Sequence, residues 1–171
     1  MKLLLMSLLI TLSTTGFAQQ ANFVLKANPI GLAFGNFNLT YEKPLDAKSS
    51  IGIGANYFFK LLGTDVSGFG VNGEYRFYIT HAKKESPEGF YVGPSASFSY
   101  VSVNDDFSDF STSTIGIGAT VGYQFLWDNR IVLDLGLGPQ YSIMIANNDG
   151  EAYDFSGFLP RLTLAVGYAF E

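Results

Sequence analysis

From residue 21 onward, apolar and polar positions alternate with a period of two almost everywhere, and no stretch repeats at the helical period. In IGIGATVGYQF (115–125), Ile115, Ile117, Ala119, Val121, Tyr123 and Phe125 fall on one side of an extended chain. Gly116, Gly118, Thr120, Gly122 and Gln124 fall on the other. In RLTLAVGYAF (161–170), Leu162, Leu164, Val166, Tyr168 and Phe170 oppose Arg161, Thr163, Ala165, Gly167 and Ala169. The segments beginning at Phe37, Ile51, Phe69, Phe90 and Ile131 repeat the division.

The alternation predicts eight strands, over about residues 22–29, 34–45, 49–61, 68–80, 89–103, 112–127, 130–145 and 156–171. Pro29 interrupts the first, so its turn is expected between Pro29 and Asn36. The connections read as unequal. PLDAKS (44–49), THAKKESPE (80–88) and WDNR (127–130) are compact. LLGTDVSG (61–68), NDDFSDFSTS (104–113) and ANNDGEAYDFS (146–156) read as longer loops. With eight strands, both termini fall on the compact side.

One face is bulky, apolar and aromatic, and the other is small or polar. A soluble eight-stranded barrel would have large apolar residues inside. The reverse pattern predicts an all-β, eight-stranded, antiparallel, up-and-down transmembrane β-barrel whose apolar face meets lipid around a filled polar lumen. Many strands exceed the roughly 9–11 residues needed to cross hydrocarbon at a tilt. Aromatic residues gather near strand ends, as at Tyr57, Phe77, Tyr123, Trp127 and Phe170.

Composition sharpens this. Only 15 % of residues are charged and 16 % are aromatic, with 19 glycines, against about 25 % charged in ordinary soluble domains. Residues 1–18 read as a secretory signal peptide. Lys2 precedes an apolar run (3–12) too short to span a bilayer, and small residues at Gly16 and Ala18 mark cleavage after Ala18. The domain proper is then 19–171. Without Lys2, 9 basic and 15 acidic residues leave a net charge of −6, which argues against nucleic acid as a partner. The chain has no Cys, so disulfides and thiolate metal sites are excluded.

The glycines of IGIG (115–118) look at first like a phosphate-binding loop. That fold needs a following helix and an acidic residue about 20 positions on, yet past Gly122 the alternation continues. IGIG at 51–54 and LGLG at 135–138 place their glycines on the same inward parity. Small inward residues leave lumen space for longer polar ones. No cofactor is expected.

By parity, Lys26, Glu42, Glu74, Arg76, Asp134 and Arg161 point inward, three of each sign, and must pair in a low-dielectric interior. The single histidine, His81, lies in a compact turn without a catalytic partner, so no enzyme is expected. A lipid-modifying enzyme, the alternative, would draw on Ser108, Ser111 and Ser113 near the rim. The longer loops carry acidic and aromatic residues. Of these, Asp149, Glu151 and Asp154 are candidate divalent-cation ligands, although NNDGEAYD (147–154) lacks the register of an EF-hand loop.

Three runs carry a resemblance: LKANPIGLAFGNFNLTYEKPL (25–45), GEYRFY (73–78) and GFYVGPSASFSY (89–100). They resemble a family of small secreted β-barrel proteins of unassigned function, common in outer membranes of Gram-negative bacteria. LTLAVGYAFE (162–171) resembles the terminal strand that the outer-membrane assembly machinery recognises, though Ala165 stands where Gly is commoner and Glu171 follows the last aromatic. The resemblance implies an outer-membrane location with periplasmic termini. Its implied partners are outer-membrane lipid, lipopolysaccharide and the assembly machinery. It supplies no catalytic residues. The expected role is a structural or interaction scaffold displaying acidic, aromatic loops. A lipocalin-like carrier of a small apolar ligand and a narrow pore are the other readings.

Overall fold

A computed structural model describes residues 21–171 apart from 62–63, 106–107 and 149–150. The expected signal peptide, residues 1–18, lies outside the described residues. Among the described residues the protein is all-β, with eight strands: β1 (Phe23–Ala27), β2 (Asn36–Asp46), β3 (Ser49–Leu61), β4 (Thr64–Tyr78), β5 (Gly89–Asp105), β6 (Ser108–Leu126), β7 (Ile131–Asn148) and β8 (Glu151–Phe170). One short helix, α1 (Pro29–Ala33), separates β1 from β2.

Each strand pairs antiparallel with its neighbour in sequence. The ring closes where β1 meets β8, with Phe23 opposite Phe170 and Ala27 opposite Val166. Closure satisfies main-chain donors and acceptors without an outside partner along the paired lengths. The period-two alternation survives the pairing. Ile53, Ile117 and Leu137 stand exposed outside, while Gly54, Gly118 and Gly138 turn inward.

Burial follows the same division. Among the described residues, twelve polar or charged residues are buried against eight apolar ones. The interior is therefore a polar core rather than an apolar one. Inward glycines make the space for it. A Cβ at Gly116 would sit 2.4 Å from Gln140 Nε2, and one at Gly122 would sit 2.5 Å from the Tyr91 hydroxyl.

Two expectations are corrected. The loops anticipated at 61–68, 104–113 and 146–156 are mostly strand. β5 runs to Asp105 before β6 begins at Ser108, and β7 runs to Asn148 before β8 begins at Glu151. Aspartate and serine lower local strand propensity, but strand preference depends strongly on context. Here unbroken cross-strand ladders carry these residues. The second correction is α1, in a stretch expected to hold only a turn. The Asn28 side chain accepts a hydrogen bond from the Gly31 N–H at 2.9 Å, and Pro29 occupies the first turn. Five residues are too few to show a helical period.

Candidate functional site

The compact connections, 47–48, 79–88 and 127–130, lie at one end of the ring with the start of β1 and the end of β8. Just inside this end, alternate residues of five strands meet. Lys26 comes from β1, Glu42 from β2, Glu74, Arg76 and Tyr78 from β4, Gln124 from β6 and Asp134 from β7. Lys26 Nζ donates to Glu42 Oε2 at 2.6 Å, to Asp134 Oδ2 at 2.7 Å and to Gln124 Oε1 at 2.8 Å. Those bonds use all three ammonium donors.

Arg76 completes the cluster. Its Nε donates to Glu74 Oε1 at 2.8 Å and its Nη1 to Gln124 Oε1 at 2.9 Å. The same Nη1 lies 2.8 Å from Asp134 Oδ2 and 3.4 Å from Glu42 Oε2. The guanidinium also stacks over the Tyr91 ring, 4.1 Å from its centroid. The remaining carboxylate oxygens are met from below. Tyr78 Oη donates to Glu42 Oε1 and Tyr91 Oη to Asp134 Oδ1, each at 2.7 Å. Both tyrosines are fully buried.

The connection between β4 and β5 closes the end beneath this network. Ser86 and Pro87 are buried. Gln124 Nε2 donates to the Pro87 carbonyl at 2.7 Å, and the Ser86 N–H donates to the Ala47 carbonyl at 3.1 Å. Ala21, Val24, Val132 and Ala169 form a small apolar cluster inside the ring. The connection read from the sequence as a plain turn thus contributes to a stopper.

Arg161 stands apart from the other five inward ionisable residues. It reaches Glu74 Oε2 at 3.4 Å and Gln140 Oε1 at 3.3 Å, both long, and its buried Nε has no hydrogen-bond partner. It lines a cavity of about 260 Å³ above the network. The floor is Lys26, Glu74, Arg76 and Asp134, and the walls include Asn38, Asn56, Asn72 and Gln140. Chemically, the interior is a plug of two cations and three carboxylates beneath a cup of carboxamides and hydroxyls, where the under-used Arg161 guanidinium brings the charges to three of each sign.

The other sequence candidates are scattered. Asp149 and the side chain of Glu151 lie outside the described residues, and Asp154 is exposed and faces Ile145 on the β7–β8 ladder. Among the described residues, no three His, Asp or Glu side chains gather as a metal site. His81 Nδ1 lies 2.8 Å from the Tyr78 carbonyl, at the compact end. Ser111 and Ser113 lie toward the opposite end, paired with Ser102 and Tyr100. Residues that sequence reasoning did not single out are Tyr78, Tyr91, Gln124 and Ser50. Their inward parity was the available signal, but nothing local marks Tyr78, Tyr91 and Ser50 as donors to Glu42 or Asp134, or Gln124 as the acceptor shared by Lys26 and Arg76.

A model of the family described as Protein of unknown function (DUF3575) matches residues 3–154. No curated protein and no solved structure matches the chain. The match spans most of the sequence, and the chain belongs to this family.

Proposed function

We propose that this member of the DUF3575 family is an integral outer-membrane β-barrel of a Gram-negative cell. Its lumen is plugged, its termini are periplasmic, and it serves as a scaffold that presents acidic, aromatic hairpins outside the membrane. The observation that carries the reading is the inverted distribution of polarity. Leu162, Phe158, Ile117 and Leu137 are 77, 77, 68 and 65 % exposed, while Lys26, Glu42 and Asp134 are at most 2 % exposed. Exposed apolar patches of this extent mark contact with a partner or a membrane. A carrier of an apolar ligand would need the opposite interior.

The spacing of the aromatic residues supports a bilayer rather than a protein partner. Near the compact end, Phe23 stacks between Tyr41 and Phe170, with ring centroids 5.4 and 4.8 Å away, and Phe125 stacks on Trp127 at 5.9 Å. Toward the hairpin end, Phe69 meets Phe98 at 6.1 Å, and Tyr141 meets Phe158 at 5.2 Å. On β4, Phe69 and Phe77 are eight residues apart, roughly 27 Å along a strand at ~3.4 Å per residue. A tilt of about 40° reduces that to roughly 20 Å along the axis, close to the ~25 Å apolar band between aromatic girdles.

Beyond the upper girdle the described hairpin residues change character. The Asp65 side chain is 94 % exposed, opposite Lys60 at 4.0 Å, and Tyr153, Asp154 and Phe155 are exposed on β8. Two measurements test the reading. Separation of cell membranes by density should place the protein with the outer membrane, and planar bilayers containing it should show no stepwise current. Recovery from the soluble periplasm would overturn the membrane assignment. Regular current steps would replace the scaffold with a pore.

A further inference from the structure

The ring is closed over only part of its height. β1 has five residues and β8 has twenty. Pairing between them covers Phe23–Ala27 and Val166–Phe170, so β8 from Glu151 to Ala165 has no strand on its β1 side. On β8, Pro160 carries no N–H, and it faces Pro139 of β7 across the other ladder. Among the described residues, the chain continues above β1 through Asn28 into α1, which leans on β2 and β8 and buries none of its own residues.

The polar cavity reaches this gap. β8 lines it with five consecutive residues, Arg161 to Ala165, so outward-parity Leu162 and Leu164 take part as well as inward ones. Asn28 and Asn36, on either side of α1, line it too. Outside the same gap stand Ile30 and Leu32 of α1, with Phe158 and Leu162 of β8, all at least half exposed. The polar chamber therefore lies behind a gap flanked by apolar side chains. In hydrocarbon, a bare strand edge costs several kcal/mol per unsatisfied group, which favours water or a polar headgroup over acyl chain in the gap.

We infer that the gap between α1 and β8 is a lateral binding site for a membrane glycerophospholipid, its phosphate headgroup in the cavity and its acyl chains outside along Ile30, Leu32, Phe158 and Leu162. Size supports a headgroup only. About 260 Å³ falls below the roughly 300–1,000 Å³ of pockets that enclose a whole drug-sized ligand. Charge supports a phosphate. Lys26 has spent its donors on the plug, whereas Arg161 lines the cavity with only two long bonds, at 3.3 and 3.4 Å, among the carboxamides of Asn38, Asn56, Asn72 and Gln140. Guanidinium groups are well suited to phosphate oxygens.

This inference rests on the membrane reading, and its test separates the two. The mature chain, refolded in dodecyl maltoside, is examined by native mass spectrometry with phosphatidylglycerol, with glycerol phosphate and with phosphate-free diacylglycerol. The expected result is one retained phosphatidylglycerol per chain, with diacylglycerol and glycerol phosphate held at least tenfold more weakly. Arg161→Ala should weaken phosphatidylglycerol retention about tenfold, and Arg161→Lys should restore part of it. Equal retention of both lipids would show non-specific annular lipid and overturn the site. Glycerol phosphate bound as tightly as the lipid would assign the cavity to a free phosphate instead. These arms use the unaltered chain, so they decide the matter even if an Arg161 variant fails to fold. A chain that folds in buffer without detergent would sink the membrane reading itself, whereas a detergent-dependent fold that retains no lipid would sink only the lateral site.

Discussion

Replacing Lys26 by Met should destabilise the folded protein by about 3 kcal/mol. The ammonium sits among Glu42, Asp134 and Gln124 at 2.6–2.8 Å, with side-chain exposures of 1 % for Lys26 and 0 % for both acids. Removing one partner of such a cluster typically costs about 3–5 kcal/mol, because the opposite charge is left buried. The lower end applies because Arg76 remains 2.8 Å from Asp134 and 3.4 Å from Glu42. Pairing Lys26→Met with Asp134→Asn removes one charge of each sign. The double variant should be at least ~1 kcal/mol more stable than the summed single costs imply, as expected for residues in one network. The assay is urea unfolding from phospholipid vesicles, followed by the fluorescence of Trp127, the one tryptophan. A Lys26→Met cost below about 1 kcal/mol, or strictly additive costs, would refute the claim that these charges form one coupled plug.

The same unfolding assay checks the packing and hydrogen-bonding claims. Gly122→Val should cost about 1–3 kcal/mol or more, since even its Cβ would lie 2.5 Å from the Leu135 carbonyl and from Tyr91. Gly73→Ala should be neutral or stabilising by up to ~1 kcal/mol, because nothing lies within 4 Å of a Cβ there. Tyr91→Phe should cost about 1–3 kcal/mol by stripping Asp134 Oδ1 of its 2.7 Å donor. Opening the stopper with Tyr78→Ala and Tyr91→Ala together should produce current steps in planar bilayers where the unaltered protein gives none.

The alternation of residues made the strands legible because a period of two has one geometric reading, and main-chain pairing then orders neighbours in sequence. The strand Phe69–Tyr78 shows how far this extends. Its parity alone puts Glu74, Arg76 and Tyr78 on one side, where they all join the plug. What parity could not supply is height. Lys26 meets Asp134 across 108 positions of sequence because the stagger of the ring brings β1 and β7 to the same level. That stagger is a property of all eight pairings together. The lateral gap was hidden for a related reason. Pro29 signalled only that β1 ends, not that β8 continues for fifteen residues beyond its last pairing with it. The hairpin ends look like loops in the sequence because their aspartates and serines outweigh, residue by residue, the cooperative ladder that carries them.

As an outer-membrane protein, the chain would meet lipid with the apolar face of its closed ring. The most direct measurement is the gel mobility of the detergent-extracted protein from fractionated cells, compared with and without boiling. A closed barrel with a bonded polar plug should keep its fold in the unheated sample and migrate differently after boiling, with the shift appearing in the outer-membrane fraction. Identical mobility, with the protein recovered from the soluble periplasm, would contradict the account and mean that its two faces have been assigned the wrong way round.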